Sequence, residues 1–104
     1  MIGIISMFYV RPFLAEHLAL LPRMKEAGCD FVEFLVPESG EMDLKDARAA
    51  LTKAGLGVVL AARINPTRDV ASADPAAHAA SIAYLKACVD AAVALGATIV
   101  GGPI

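Results

Sequence analysis

Stretches with apolar positions three and four residues apart alternate along this chain with short runs that are apolar almost throughout. The two kinds of stretch meet at a glycine three times, in KEAG-CDFVEF, TKAG-LGVVLA and VALG-ATIVGG. This internal repeat predicts helix ends at Gly28, Gly55 and Gly96, because the position just past a helix turns left-handed and glycine does so at little cost. Strands are predicted near residues 2–10, 31–36, 58–64 and 98–101. The first helix is expected over about residues 13–27, with a break near Leu21 because Pro22 falls inside it. The second opens at Asp43, has Asp46 three residues later and runs to Ala54. The third takes Asp74 as N-cap and Pro75 as its first position, with Ile82, Leu85, Val89 and Val93 on one face.

Runs such as GVVLAA and TIVG read as strands covered on both faces, which implies parallel pairing. The order β-α-β-α-β-α-β is that of an α/β protein with right-handed crossovers, and no linker or low-complexity segment divides it. Two architectures remain, an open doubly wound sheet and a (β/α)8 barrel. A doubly wound nucleotide fold favours a Gly-rich loop after the first strand, where this chain has Tyr9, Val10, Arg11 and Pro12. A barrel needs about 250 residues, more than twice the 104 present.

Composition narrows the partners. With 58% apolar and 19% charged residues the chain can bury a core. Its net charge of −2, with no basic stretch, argues against nucleic acid. No apolar run approaches the ~20 residues of a membrane span, and the apolar start lacks the charged flank and cleavage site of a signal peptide, so a cytoplasmic protein with no membrane partner is expected. Cys29 and Cys88 lack metal or redox spacing and are expected as buried, reduced thiols.

Laid out in this way, the chain resembles the amino-terminal part of the xylose-isomerase-like sugar isomerases and epimerases, in particular ketose 3-epimerases of the D-tagatose and D-psicose type. The resemblance runs the whole length. It is carried by MFY at residues 7–9, CDFVEF at 29–34, GLGVVLAARINPTRDVAS at 55–72, AYLKACVDAAVALGA at 83–97 and the GGP that follows. It implies that residues 1–104 are the amino-terminal part of a single TIM-barrel domain without internal boundary, the first four strands of a (β/α)8 half-barrel. It also implies ketose chemistry by proton transfer through an enediolate, with a divalent metal (Mn, Mg or Co) and two carboxylates from later strands, so that this chain alone holds neither metal nor catalytic residues and is inactive. On this chain the resemblance assigns a substrate pocket to Phe8, Ala61 and Pro103. Arg63 stands where those epimerases carry a small residue, and their tryptophan after the first strand has no counterpart in a chain without tryptophan.

Several residues carry chemistry of their own. Glu33 lies mid-strand in an apolar run, where an ionised carboxylate is costly without a partner; it is expected either to orient the pocket from behind or to serve as a structural carboxylate. Glu38 and Glu41 fall on the loop after the second strand and are expected to be solvated. Arg11, Arg63 and Arg68 follow strand ends and could face a polyhydroxylated or phosphorylated ligand, Arg63 best of the three. His17 and His78 lie on helices without a second ligand at i+4, so both are expected at the surface. Ser6 and Tyr9 have no histidine and aspartate nearby in the motif, so a hydrolase triad has no support. A second hypothesis makes the chain a self-contained half-barrel, a homo-oligomer serving as a non-catalytic binding or scaffold module.

Overall fold

The computed structural model describes residues 1–102. Strand β1 (Gly3–Ile5) pairs in parallel with β2 (Phe31–Leu35), β2 with β3 (Gly57–Ala61), and β3 with β4 (Val100–Gly101), in the spatial order β1-β2-β3-β4. A doubly wound sheet reverses its strand order at a switch point. This one does not, which removes that architecture.

The crossovers carry α1 (Leu21–Glu26), α2 (Leu44–Ala54) and α3 (Pro75–Leu95). Asp43 caps α2, its Oδ1 accepting the Lys45 and Asp46 amides at 2.8 and 3.1 Å. Asp74 caps α3 through the Ala76 amide at 3.0 Å. The glycines expected after the three helices have φ of 99° (Gly28), 73° (Gly55) and 79° (Gly96). The break expected near Leu21 is present: residues Ala15–Leu20 form a 3-10 helix, and α1 begins at Leu21 with Pro22 in its first turn, where a missing N–H costs nothing.

The ends of several elements differ from the sequence reading. The first strand stops at Ile5, not Val10, and Ser6–Phe8 coil into a 3-10 turn whose Ser6 carbonyl accepts the Tyr9 amide at 3.1 Å. The backbone groups there are satisfied by a local turn instead of by a ladder. The third and fourth strands are likewise shorter than expected, and Phe13 is a core residue ahead of the first helix rather than its first turn.

The face of α3 differs more. Of the four residues expected on one face, Leu85 is half-buried and packs against the core, while Ile82, Val89 and Val93 are 42%, 57% and 70% exposed; the fully buried positions are Ala77, Ser81, Cys88, Ala91, Ala92 and Leu95. Both sets have helical spacing. The one with small side chains lets the helix lie close to its neighbours, and the β-branched residues are left outside. By length and averaged hydropathy α3, with 21 residues, would suffice to cross a bilayer, against the expectation that no apolar run approaches that length. Six of its 21 residues are buried against the rest of the described chain.

Alternation along the strands divides the sheet. Val32, Phe34 and Leu60 point to the helices and are at most 1% exposed, in one core with Leu21, Met24, Leu51 and Cys88. The opposite, inner face is built in rows by the register: Gly3, Phe31 and Gly57 in the first, then Ile5, Glu33 and Val59, then Leu35 and Ala61. A Cβ built at Gly3 would fall within the Phe31 ring, so glycine there makes room for that ring. Asp43→Ala is expected to lower stability by about 1 kcal/mol, read as a lower urea midpoint at unchanged m. Asp74→Ala, which loses one backbone bond, should cost less.

Candidate functional site

The C-terminal ends of the strands carry the loops that gather the polar side chains. Between the ends of β1 and β2 lies a cavity of about 50 Å³, lined by Ser6, Met7, Phe13, Leu35, Met42 and Arg63 among others. Ligand pockets run to several hundred Å³, so this is one corner of a site, large enough for a functional group of a ligand. Its wall is apolar apart from Ser6, which is 1% exposed, and Arg63.

Arg63 follows β3 and reaches across to the loop after β2. Its Nη1 and Nη2 donate to Glu41 Oε1 and Oε2 at 3.0 and 2.7 Å, a bidentate pair with both side chains about four-fifths buried. Its Nε is buried without a hydrogen-bond partner. Five residues on, Arg68 donates from Nη2 to Glu38 Oε1 at 2.6 Å and from Nε to the Arg63 carbonyl at 2.7 Å. The Arg68 guanidinium also lies 3.8 Å from the centre of the Tyr84 ring. The Tyr84 hydroxyl, on α3, accepts the Arg63 amide at 2.6 Å. Two loops and a helix are thus tied by two ion pairs and one phenol.

The electrostatics follow from these contacts. The hydrogen bond from Arg68 holds the Glu38 carboxyl below the usual glutamate range, against the opposing effect of burial. The same bond holds Arg68 protonated more firmly than a free arginine. Burial pushes the Tyr84 phenol and the Cys88 thiol up, so at neutral pH Cys88 is a buried thiol and not a nucleophilic thiolate.

Of the residues singled out in the sequence, Arg63 lines the cavity and Ala61 is 6% exposed at the end of β3. Phe8 stands 82% exposed on the turn after β1, edge-on to Tyr9 with centroids 6.2 Å apart. Glu33 is half-buried in the middle of the inner face and makes no ion pair among the described residues. Pro103 lies outside the described residues. Arg11 is exposed. Glu38 and Glu41, expected as solvated loop carboxylates, are the partners of the two arginines. The signal was available in the two opposite charge sets on consecutive βα loops, which adjacent parallel strands bring side by side.

His78 is exposed, with Nδ1 3.0 Å from the Val70 carbonyl. His17 is half-buried rather than at the surface: its Nδ1 accepts the Leu14 amide at 2.9 Å and its ring lies 5.8 Å from that of Phe13. Cys29 and Cys88 are both free and buried. Among the described residues no three His, Cys, Asp or Glu side chains gather as metal ligands. The residues present therefore do not fit the divalent cation that the family resemblance implies.

Comparison with known proteins follows the same lines. The family model for xylose isomerase-like TIM barrels matches residues 21–103. A ketose 3-epimerase from Arthrobacter globiformis is 33% identical over 98 residues, 93% of this chain and 34% of that protein. A solved L-ribulose 3-epimerase superposes with a TM-score of 0.89 at 26% identity, over 97% of this chain and 34% of its own. A D-allulose 3-epimerase from Methylomonas sp., in complex with D-allulose, gives 0.87 at 22% identity over 96% of this chain and 35% of its own, a likeness of fold. The chain spans about a third of the length of these relatives. Its four strands correspond to the first half of a (β/α)8 barrel.

The Glu38–Arg68 pair predicts a pH dependence. A carboxylate lowered in the folded state contributes stability that is complete above its unfolded pKa, about 4.3 for glutamate, and is lost as pH falls through the lowered folded value. Urea unfolding of the wild type and Glu38→Gln should differ at neutral pH and converge in acid. A difference that stays constant down to strongly acidic pH contradicts this.

Proposed function

The chain belongs to the xylose isomerase-like TIM barrel family, and from that premise we propose that its strand ends form one wall of the sugar site of a ketose 3-epimerase-type isomerase. Residues 1–104 are then the amino-terminal part of one barrel domain, and the cytoplasm is the expected compartment. The observation that carries the reading beyond the family is the charge balance at the rim. Arg63, which lines the cavity, and Arg68 five residues on are each matched by a carboxylate. What remains for a ligand is apolar surface and neutral hydrogen-bonding groups, which suit a neutral polyol better than a sugar phosphate.

Each assigned residue has a physical part in this reading. Phe8 offers an exposed aromatic face on which the C–H groups of a sugar can lie. Ala61 keeps the end of β3 low, and Arg63, held by Glu41, forms a rigid wall. Pro103 extends that wall by resemblance. Glu33, half-buried behind the strand ends, orients the pocket from the barrel interior.

Epimerisation beside a ketose carbonyl removes a proton from one face of the carbon and returns one to the other through an enediolate, which requires an acid or base on each side. Glu38 and Glu41 are bound to arginines and are poorly disposed to take up a proton. The reading therefore assigns no catalytic residue to this chain, and the proton-transferring carboxylates are expected from the later strands of a complete barrel. The divalent cation is expected there too.

Two measurements on the 104-residue chain test the reading. In a ¹H–¹⁵N titration, D-fructose and D-psicose should shift the amides of Ser6, Phe13, Leu35 and Arg63, and D-fructose 6-phosphate should shift them less. No response at these positions, or a stronger one to the phosphate, contradicts it. Calorimetric titration with Mn²⁺ should give no stoichiometric micromolar site.

A further inference from the structure

We propose that Glu41 is a specificity-determining residue of the site: its carboxylate occupies an anion cradle beside the cavity and thereby keeps phosphorylated sugars and sugar acids out. The inference rests on the reading of the strand ends as the wall of a ketose site for the identity of the ligand. The cradle itself is a matter of geometry.

Three donors converge on the Glu41 carboxylate. Arg63 Nη1 and Nη2 reach Oε1 and Oε2 at 3.0 and 2.7 Å, and the Glu38 amide reaches Oε2 at 3.3 Å. A guanidinium fork with a backbone N–H beside it suits a phosphate or carboxylate group of a ligand. Here the chain supplies the anion from its own loop. The turn that presents it is closed on itself: the Glu41 amide donates to the Glu38 carbonyl at 3.1 Å, and Gly40 takes a left-handed φ of 85°. The Glu41 carbonyl in turn accepts the Ala15 amide at 3.0 Å. On the other side, Arg63 is fixed at both of its main-chain groups, the amide by Tyr84 and the carbonyl by Arg68.

Arg63 has no second partner in reserve among the described residues. Its Nε is buried and unpaired, and Glu38, near enough to be acidified by Arg63, is bound by Arg68 at 2.6 Å. Removing the Glu41 carboxylate would therefore leave a largely buried cation bare, which is costly, and an anion from solution would be drawn to the vacated place. That place adjoins the cavity, because Arg63 and Met42, the residue after Glu41, both line it. An arginine at position 63 is compatible with a neutral sugar because Glu41 cancels its charge. An entering phosphate has to displace a carboxylate already held by the fork, and a neutral ketose does not.

Thermal unfolding of the full chain, followed by circular dichroism in sodium phosphate and in sodium chloride of equal ionic strength, tests this. Glu41→Ala should bind inorganic phosphate at least about tenfold more tightly than the wild type, seen as a Tm that climbs with phosphate concentration. If the variant is partly unfolded in chloride, phosphate should restore its structure. The double variant Glu41→Ala/Arg63→Met should lose the gain, which separates the cradle from the general stabilising action of phosphate. Glu38→Ala bares Arg68 but leaves its Nε tied to the Arg63 carbonyl, so it should gain less. A Glu41→Ala variant that responds to phosphate no more than the wild type overturns the proposal, as does a gain that persists without Arg63 or is matched by Glu38→Ala. The response of the wild type to D-psicose decides the ketose reading separately: if it is missing while Glu41→Ala takes up phosphate, that reading falls and Glu41 still stands as the residue that keeps anions out.

Discussion

A right-handed crossover can return a parallel strand only with its helix on one particular side of the sheet. Three crossovers in succession, between strands that lie in chain order, therefore put every helix of this protein on the same face. That constraint accounts for the division of each strand. Val32, Phe34 and Leu60 are sealed under the helices, and their neighbours Ile5, Glu33 and Val59 look the other way, Ile5 exposed and the other two half-buried. It also sends all the loops after strands to one end, where β2 and β3 deliver Glu38 and Glu41 beside Arg63 and Arg68.

At that end, polar contacts continue the work that the ladder begins. The last β3 residue is Ala61, yet the chain beyond it is held in order because the Arg63 amide is bound by Tyr84 and the Arg63 carbonyl by Arg68. A glycine at 102, with φ of 126°, lets β4 leave the sheet so close to Ala62 that a Cβ there would lie 2.8 Å from the Ala62 amide nitrogen. The cavity wall is thus formed by backbone and by side chains that are themselves restrained. A small apolar corner can keep its shape in this way without a large core beneath it.

Elements bounded by strong local signals were legible in the sequence. Asp43 and Gly55 bracket α2, Asp74 and Gly96 bracket α3, and Pro22 marks the change of helix type at Leu21, because caps, left-handed glycines and proline act through the nearest few residues. Features decided by distant neighbours were not legible. Residues 6–10 have strand composition but begin with a 3-10 turn closed by the Ser6 carbonyl. The outward side of α3 has the larger apolar residues, and only the packing reveals that alanines face in. At the candidate site, the type of residue was readable and the pairing was not: Glu38 and Glu41 become ion-pair partners only once β2 and β3 are known to be adjacent.

The two ion pairs have a consequence for how a ligand arrives. Each is short, and in each the arginine is about four-fifths buried, so the charges cancel within a few ångströms, well inside the Debye length of about 8 Å at physiological salt. Little field from these two pairs extends into solvent. An approaching molecule is neither drawn in nor turned by long-range attraction, and the encounter rate should be nearly indifferent to ionic strength. Under the proposed function, recognition of a neutral sugar at these two pairs begins at contact, through shape and hydrogen bonds, after diffusion alone has delivered it.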